Sequence, residues 1–134
     1  WELLHDGSLE RAEGSVPGDL SLFISIPYLR KAFEPEGDGF VLRLRGCTHF
    51  KLEANDGTLL EDPCHIASRS PELLSMLSEA PLAIYTTLGT LTLAYETMDL
   101  ELDSGEPFSV ESLDQASSAY WRAWSERHGR EVSN

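Results

Sequence analysis

Long apolar runs are missing from this 134-residue chain, and with them any helix able to span a bilayer. No basic-then-apolar segment opens it at Trp1, so a cytoplasmic protein of bacterial type is expected rather than an exported one. Cysteine is scarce. Cys47 and Cys64 are too few for a disulfide framework, and two reduced, partly buried thiols are expected. Cations are scarce as well: 10 Lys and Arg against 23 Asp and Glu give a net charge of −13. The excess is spread, with −3 over positions 1–50, −6 over 51–100 and −4 over 101–134, so it is no mere acidic tail. A phosphate backbone needs clustered Lys and Arg, which excludes nucleic acid as the expected partner. The same sign repels anionic membranes, favours solubility and admits a basic protein as partner.

What the chain does have is 41% hydrophobic residues, enough for a core, and a length near that of one ordinary domain. No linker, repeat or low-complexity stretch divides it, so residues 1–134 are expected to form a single domain. Three Asp-Gly pairs, Asp6-Gly7, Asp38-Gly39 and Asp56-Gly57, punctuate the first half. Gly accepts positive φ without steric cost and Asp tolerates it, so each pair signals a turn. Around them lie segments of period two, the strand signature. Trp1–His5 and Ser8–Glu13 are expected as a hairpin about Asp6-Gly7. In Asp19–Ile26, Leu20, Leu22, Ile24 and Ile26 alternate with Ser21, Phe23 and Ser25; Phe23 on the second face suggests a strand covered on both sides. Phe40–Gly46 sets Phe40, Leu42 and Leu44 against Val41, Arg43 and Arg45, with a bend at Gly46. Thr48–Glu53, the hairpin Leu82–Glu96 and Met98–Asp103 complete the strand set.

Helix signals are fewer. Pro27 opens one or two turns over Tyr28–Phe33. Ser70-Pro71-Glu72 reads as a capped helix start, with Leu73, Leu74 and Leu77 as its buried stripe and Pro81 as its stop. Residues 58–69 carry no clear pattern. Ser109 caps a long helix over about 109–128, in which Val110, Leu113, Ala116, Tyr120, Ala123 and Trp124 form the apolar face and Trp121 sits off it. The resulting class is α+β: an antiparallel meander of about six to eight strands, one short helix, and a long C-terminal helix packed on the sheet.

Two constellations carry chemistry. Asp99, Glu101 and Asp103 share one face of a period-two strand, at an i to i+2 spacing of about 6.5–7 Å. Such a row can receive Lys and Arg from a partner, or stand as a solvated face that blocks edge-to-edge association. Arg43 and Arg45 neutralise it in part if their strand lies alongside. Cys47, His49, Cys64 and His65 supply four soft ligands within nineteen residues, but the spacing fits tetrahedral zinc poorly and no C-x₂-C knuckle is present. No neighbouring motif lowers either thiol pKa for Cys–His catalysis. No metal site, cofactor or catalytic residue is therefore expected.

The opening W-E-L-L-H-D-G-S-L, the following Leu-x-Leu-x-Ile strand and the later G-F-V-L-R-L-R-G-C resemble a broad group of small bacterial cytosolic α+β proteins, over residues 1–55. That group includes immunity proteins of polymorphic toxin systems. The resemblance implies a non-enzymatic acidic domain that neutralises a basic, toxin-like protein by binding it. It carries no functional residue across, because no shared motif holds one. Two other readings stay open: a metal-dependent or Cys/His hydrolase using Cys47, His49, Cys64 and His65, and a small-molecule-binding module.

Overall fold

Alternation of buried aliphatics with exposed polar residues puts most of the chain into antiparallel strands. The computed structural model describes Leu4 and residues 6–33, 36–79 and 82–132, with side chains as far as Glu126. Nine strands form among these residues: β1 (Ser8–Gly14), β2 (Gly18–Ser25), β3 (Gly39–Cys47), β4 (His49–Ala54), β5 (Leu59–Leu60), β6 (Leu73–Glu79), β7 (Leu82–Thr86), β8 (Gly89–Ala94) and β9 (Thr97–Leu102). Three helices accompany them, α1 (Pro27–Arg30), α2 (Pro63–Ser68) and α3 (Val110–Val132). The protein is α+β.

The strands lie in two antiparallel sheets, ordered β1-β2-β3-β9 and β5-β4-β8-β7-β6. β3 pairs with β9 in the first sheet, and their direct continuations β4 and β8 pair in the second. The paired chains thus turn the corner together. Glu96 N donates to Arg45 O at 2.9 Å and Thr48 N to Ala94 O at 2.9 Å, which keeps the ladder closed through the bend. Gly46 makes the bend, as its sequence position suggests: its φ is +61°, and a Cβ there would strike the Glu96 side chain. On the far side the sheets meet again, where Leu73 N donates to Gly7 O and Leu9 N to Pro71 O. One core lies between. Leu20, Leu22, Ile24, Phe40, Leu42 and Leu44 fill it from the first sheet; Phe50, Leu52, Ile84, Leu91 and Leu93 fill it from the second.

The Leu73–Glu79 segment corrects a sequence expectation. It is not a helix but β6, the outer strand of the second sheet. Its register against β7 slips at Leu74 and again at Leu77, so both leucines are extra residues that bulge outward and stay exposed. Two bulges erase the period of two and leave a leucine spacing that mimics a helix stripe. The short helix begins instead at Asp62-Pro63, where the Asp62 carboxylate accepts from Cys64 N at 3.1 Å. β1 pairs with β2 through the 15–17 turn. Of the segment expected as a first strand, residues 1–3 and 5 lie outside the described residues. Pro81, the expected helix stop, does too. Phe23 is half-exposed beneath Arg11, so the outer face of β2 is not covered.

A buried ion pair joins α1 to the end of β9. Arg30 is 0% exposed. Its Nε donates to Asp103 Oδ1 at 2.9 Å and to Gly39 O at 3.1 Å, and its Nη1 donates to Phe33 O at 3.2 Å. Nη2 lies 2.8 Å from Asp103 Oδ1 as a charge contact, without a hydrogen-bond partner among the described residues. Asp103 Oδ2 accepts from the backbone N–H groups of Asp38 and Gly39 at 2.8 and 3.3 Å. A Cβ on Gly37 would collide with both charged groups, so that position needs glycine. Burial pushes the Asp103 carboxyl up, but the Asp38 N–H, Arg30 and the Gly39 N–H outweigh it and hold it below the ordinary 3.8.

α3 docks by its first half. Leu113 is 3% exposed and Ser117 is buried beside it, while Tyr120 stacks on Tyr28 of α1 at 4.5 Å. Trp124, expected in the core, is 40% exposed, close to the 36% of Trp121. The reason is length. Twenty-three helical residues run about 35 Å, against about 20 Å for a six-residue strand, so the apolar face outlasts the body beneath it.

Two stability predictions follow from these contacts. Asp103→Asn strands the Arg30 charge and should cost about 3 kcal/mol near neutral pH. A depressed carboxyl contributes fully above the unfolded value and loses its contribution as pH falls through the folded one. The gap between wild type and variant in urea unfolding should therefore close as pH drops below 3.8. On α3, Leu113→Ala should cost about 2–4 kcal/mol, and Trp124→Ala clearly less than the roughly 3–5 kcal/mol of a core aromatic. The same unfolding measurements decide this; equal losses would mean that α3 docks along its whole length.

Candidate functional site

The outer face of the first sheet is built by register. Arg11 of β1, Phe23 of β2, Val41 of β3 and Glu101 of β9 form one cross-strand row; Glu13, Ser21, Arg43 and Asp99 form the next. Period two brings every second side chain of four strands onto this face, so charges of both signs interleave. Arg43 Nε donates to Glu101 Oε2 at 2.8 Å, and Arg45 Nε to Asp99 Oδ2 at 2.7 Å. Arg43 also reaches Ser21 Oγ at 3.3 Å, and Arg11 pairs with Glu13 at 3.2 Å. The Arg11 guanidinium lies 5.6 Å from the centre of the Phe23 ring, a cation–π contact. A shallow cavity of about 200 Å³ lies among Arg11, Ser21, Phe23, Val41, Arg43 and Glu101.

Asp99 and Glu101 thus share a face as their spacing predicts, and the β3 arginines lie alongside them. The Asp99 carboxylate holds the Arg45 charge, raising that guanidinium's affinity for its proton through the hydrogen bond and the attraction between the charges. Asp103 leaves the row. It stands past the end of β9, and its carboxylate turns to Arg30 and the β3 backbone.

Along the opposite flank of β9 runs a feature that sequence reasoning missed. After the Ser104-Gly105 turn, residues 106–108 return beside the strand. Leu102 N donates to Glu106 O at 2.7 Å and Phe108 N to Leu100 O at 3.2 Å. Against the strap and β9 lies a shallow groove of about 400 Å³, its apolar lining Met98, Leu100, Pro107 and Phe108, with Val110 at its mouth. Asp99 and Glu101 stand on its rim. The signal was Pro107-Phe108 just before the Ser109 cap, an apolar pair too short to show any period.

The Cys/His set is not assembled. Cys47 ends β3, buried, and its thiol donates to His49 O at 3.3 Å. Burial pushes this thiol up, and the His49 hydrogen bond does not offset it, which is the reverse of nucleophile activation. Cys64 sits exposed on α2 and donates to Ala12 O at 3.2 Å. His49 contacts Thr48 Oγ1, and His65 is exposed on α2. Among the described residues, no three or more His, Cys, Asp and Glu side chains converge to hold a metal ion. No described helix is long and apolar enough to cross a membrane.

Comparison with protein-family models, with curated proteins and with solved structures gives no match.

The thiols offer a direct check. A disulfide-exchange reagent should titrate Cys64 rapidly in the native protein and reach Cys47 only in denaturant. Cys64→Ser should abolish the native reaction; fast modification of Cys47 would show that the β3 end opens.

Proposed function

We propose that this protein acts by binding another protein, a basic one, and not by catalysis of its own, with β9 and the strands beside it as the contact surface. The observation that carries the reading is the state of the charges there. Asp99 and Glu101 each face an arginine in an exposed pair, and solvent screening leaves such pairs little net stability. They can be exchanged for a partner's charges at little cost. Because the pairs consume cation and carboxylate one for one, the whole excess of −13 remains on the rest of the chain to steer a basic partner in. Phe23 and Val41 supply an apolar centre to a charged rim, the usual anatomy of an interface.

The resemblance of residues 1–55 to immunity proteins makes a toxin-like basic protein, such as a nuclease, the first partner to test. A bacterial cytoplasm suits the two free thiols. One core shared by both sheets supports a single domain over 1–134.

The test is calorimetry with a basic nuclease of the toxin type, at low and high salt. Asp99→Asn with Glu101→Gln leaves Arg43 and Arg45 unpaired, turning this patch cationic. Affinity for the basic partner should fall by about tenfold or more, and its salt dependence should weaken. Equal affinity and equal salt dependence in both forms would remove β9 from the interface.

A further inference from the structure

Among the described residues, β9 is an edge strand only partly covered. In antiparallel pairing the backbone groups of alternate residues point away from the partner strand. On β9 these belong to Met98, Leu100 and Leu102. The 106–108 strap bonds Leu102 and Leu100 and then turns into α3, so Met98 continues the series past the strap's end. The groove begins there. Its floor is apolar, and Val110 at its mouth is 54% exposed. Its surroundings are acidic: Asp99 and Glu101 on the rim, Glu106 on the strap and Glu111 in the first turn of α3. The positive end of α3 opens nearby, but Ser109 Oγ caps it by accepting from Ser112 N at 3.1 Å, and Glu111 opposes it.

We infer that this edge and groove receive an extended segment of the partner in which basic and apolar residues alternate, laid antiparallel or parallel along β9 from Met98. The inference rests on the protein-binding reading above and specifies what the partner presents. The alternation follows from β9 itself. At the open edge Met98 faces the groove side and Asp99 the other, while Leu100 and Glu101 line the groove beside the strap, so an added segment meets apolar surface and carboxylate in turn. Lys or Arg on the carboxylate side and Leu or Val on the groove side match both. Main-chain bonds at Met98 supply affinity and the alternation supplies specificity, as in other strand additions.

The probe is a fluorescent peptide of alternating Lys and Leu, with a control in which Glu replaces Lys. Binding is read by anisotropy and by amide shifts in the labelled protein. The Lys-Leu peptide should bind, shift the Met98 amide, and leave the β6 amides unmoved; the Glu-Leu control should not bind. Val110→Trp fills the groove mouth from an exposed position without changing charge, and should weaken binding at least tenfold with the fold intact by circular dichroism. No binding, unchanged binding by Val110→Trp, or shifts scattered over the acidic surface would each overturn the groove. With the protein partner, loss on Asp99→Asn and Glu101→Gln but not on Val110→Trp overturns the groove and leaves the protein-binding reading standing. Equal binding by every form removes both the groove and the β9 carboxylates from the interface, and failure of the wild type to bind any basic protein overturns the protein-binding reading.

Discussion

A guanidinium with no exposed surface has to be answered by charge and by hydrogen bonds, and the end of the first sheet is arranged around that demand. Arg30 binds Asp103, Gly39 O and Phe33 O, so α1, the start of β3 and the end of β9 meet at one side chain. Removing water from two charges is costly unless their remaining hydrogen-bonding capacity is met, and the Asp38 and Gly39 N–H groups meet it for Asp103. Phe33, Phe40 and Phe108 pack beside this pair with ring centres 5.1 to 5.7 Å apart. Because Phe108 ends the strap, the ion pair also fixes where the strap leaves β9, and hence where the groove opens.

The strands with unbroken alternation were legible. Leu20 to Ile26, Phe40 to Leu44 and Met98 to Leu102 announce both their conformation and their buried face. Turn chemistry was legible only in part. Of the three Asp-Gly pairs, Asp56-Gly57 alone closes a tight hairpin, between β4 and β5. Gly7 and Gly39 serve close packing instead: a Cβ would strike Ile24 and Ile26 at one and the Ile24 carbonyl at the other. A glycine kept for space and one kept for positive φ look alike in a sequence. β6 was illegible because its bulges reset the period, and the overrun of α3 because helix amphipathicity does not say how far the body extends. Of the site, the shared face of Asp99 and Glu101 could be read; their pairing with Arg45 and Arg43, and the diversion of Asp103 to Arg30, depend on strand order, which local pattern does not encode.

Sheet edges explain why attention falls on β9. β5 is only two residues long, β6 is twisted by two bulges, and β1 is joined to the 71–73 segment and leaned on by α2. Short, bulged or covered edges resist pairing with another chain. β9 is protected along only part of its length, and its carboxylates discourage a second acidic copy while tolerating a cationic strand.

The ladder that turns the corner from one sheet to the other has a consequence for how the chain acquires its shape. The two halves of that ladder join residues between 35 and 62 positions apart, as in Ala54 with Gly89 and Phe40 with Leu102. Closing such long loops precedes the reward of the contacts they make, so folding that waits on them is slow. During synthesis, β3 and β4 leave the ribosome well before β9 and β8 exist to cover them. Until that moment Phe40, Leu42, Phe50 and Leu52 lack the neighbours that bury them, and the growing chain is at its most vulnerable to aggregation or capture by a chaperone.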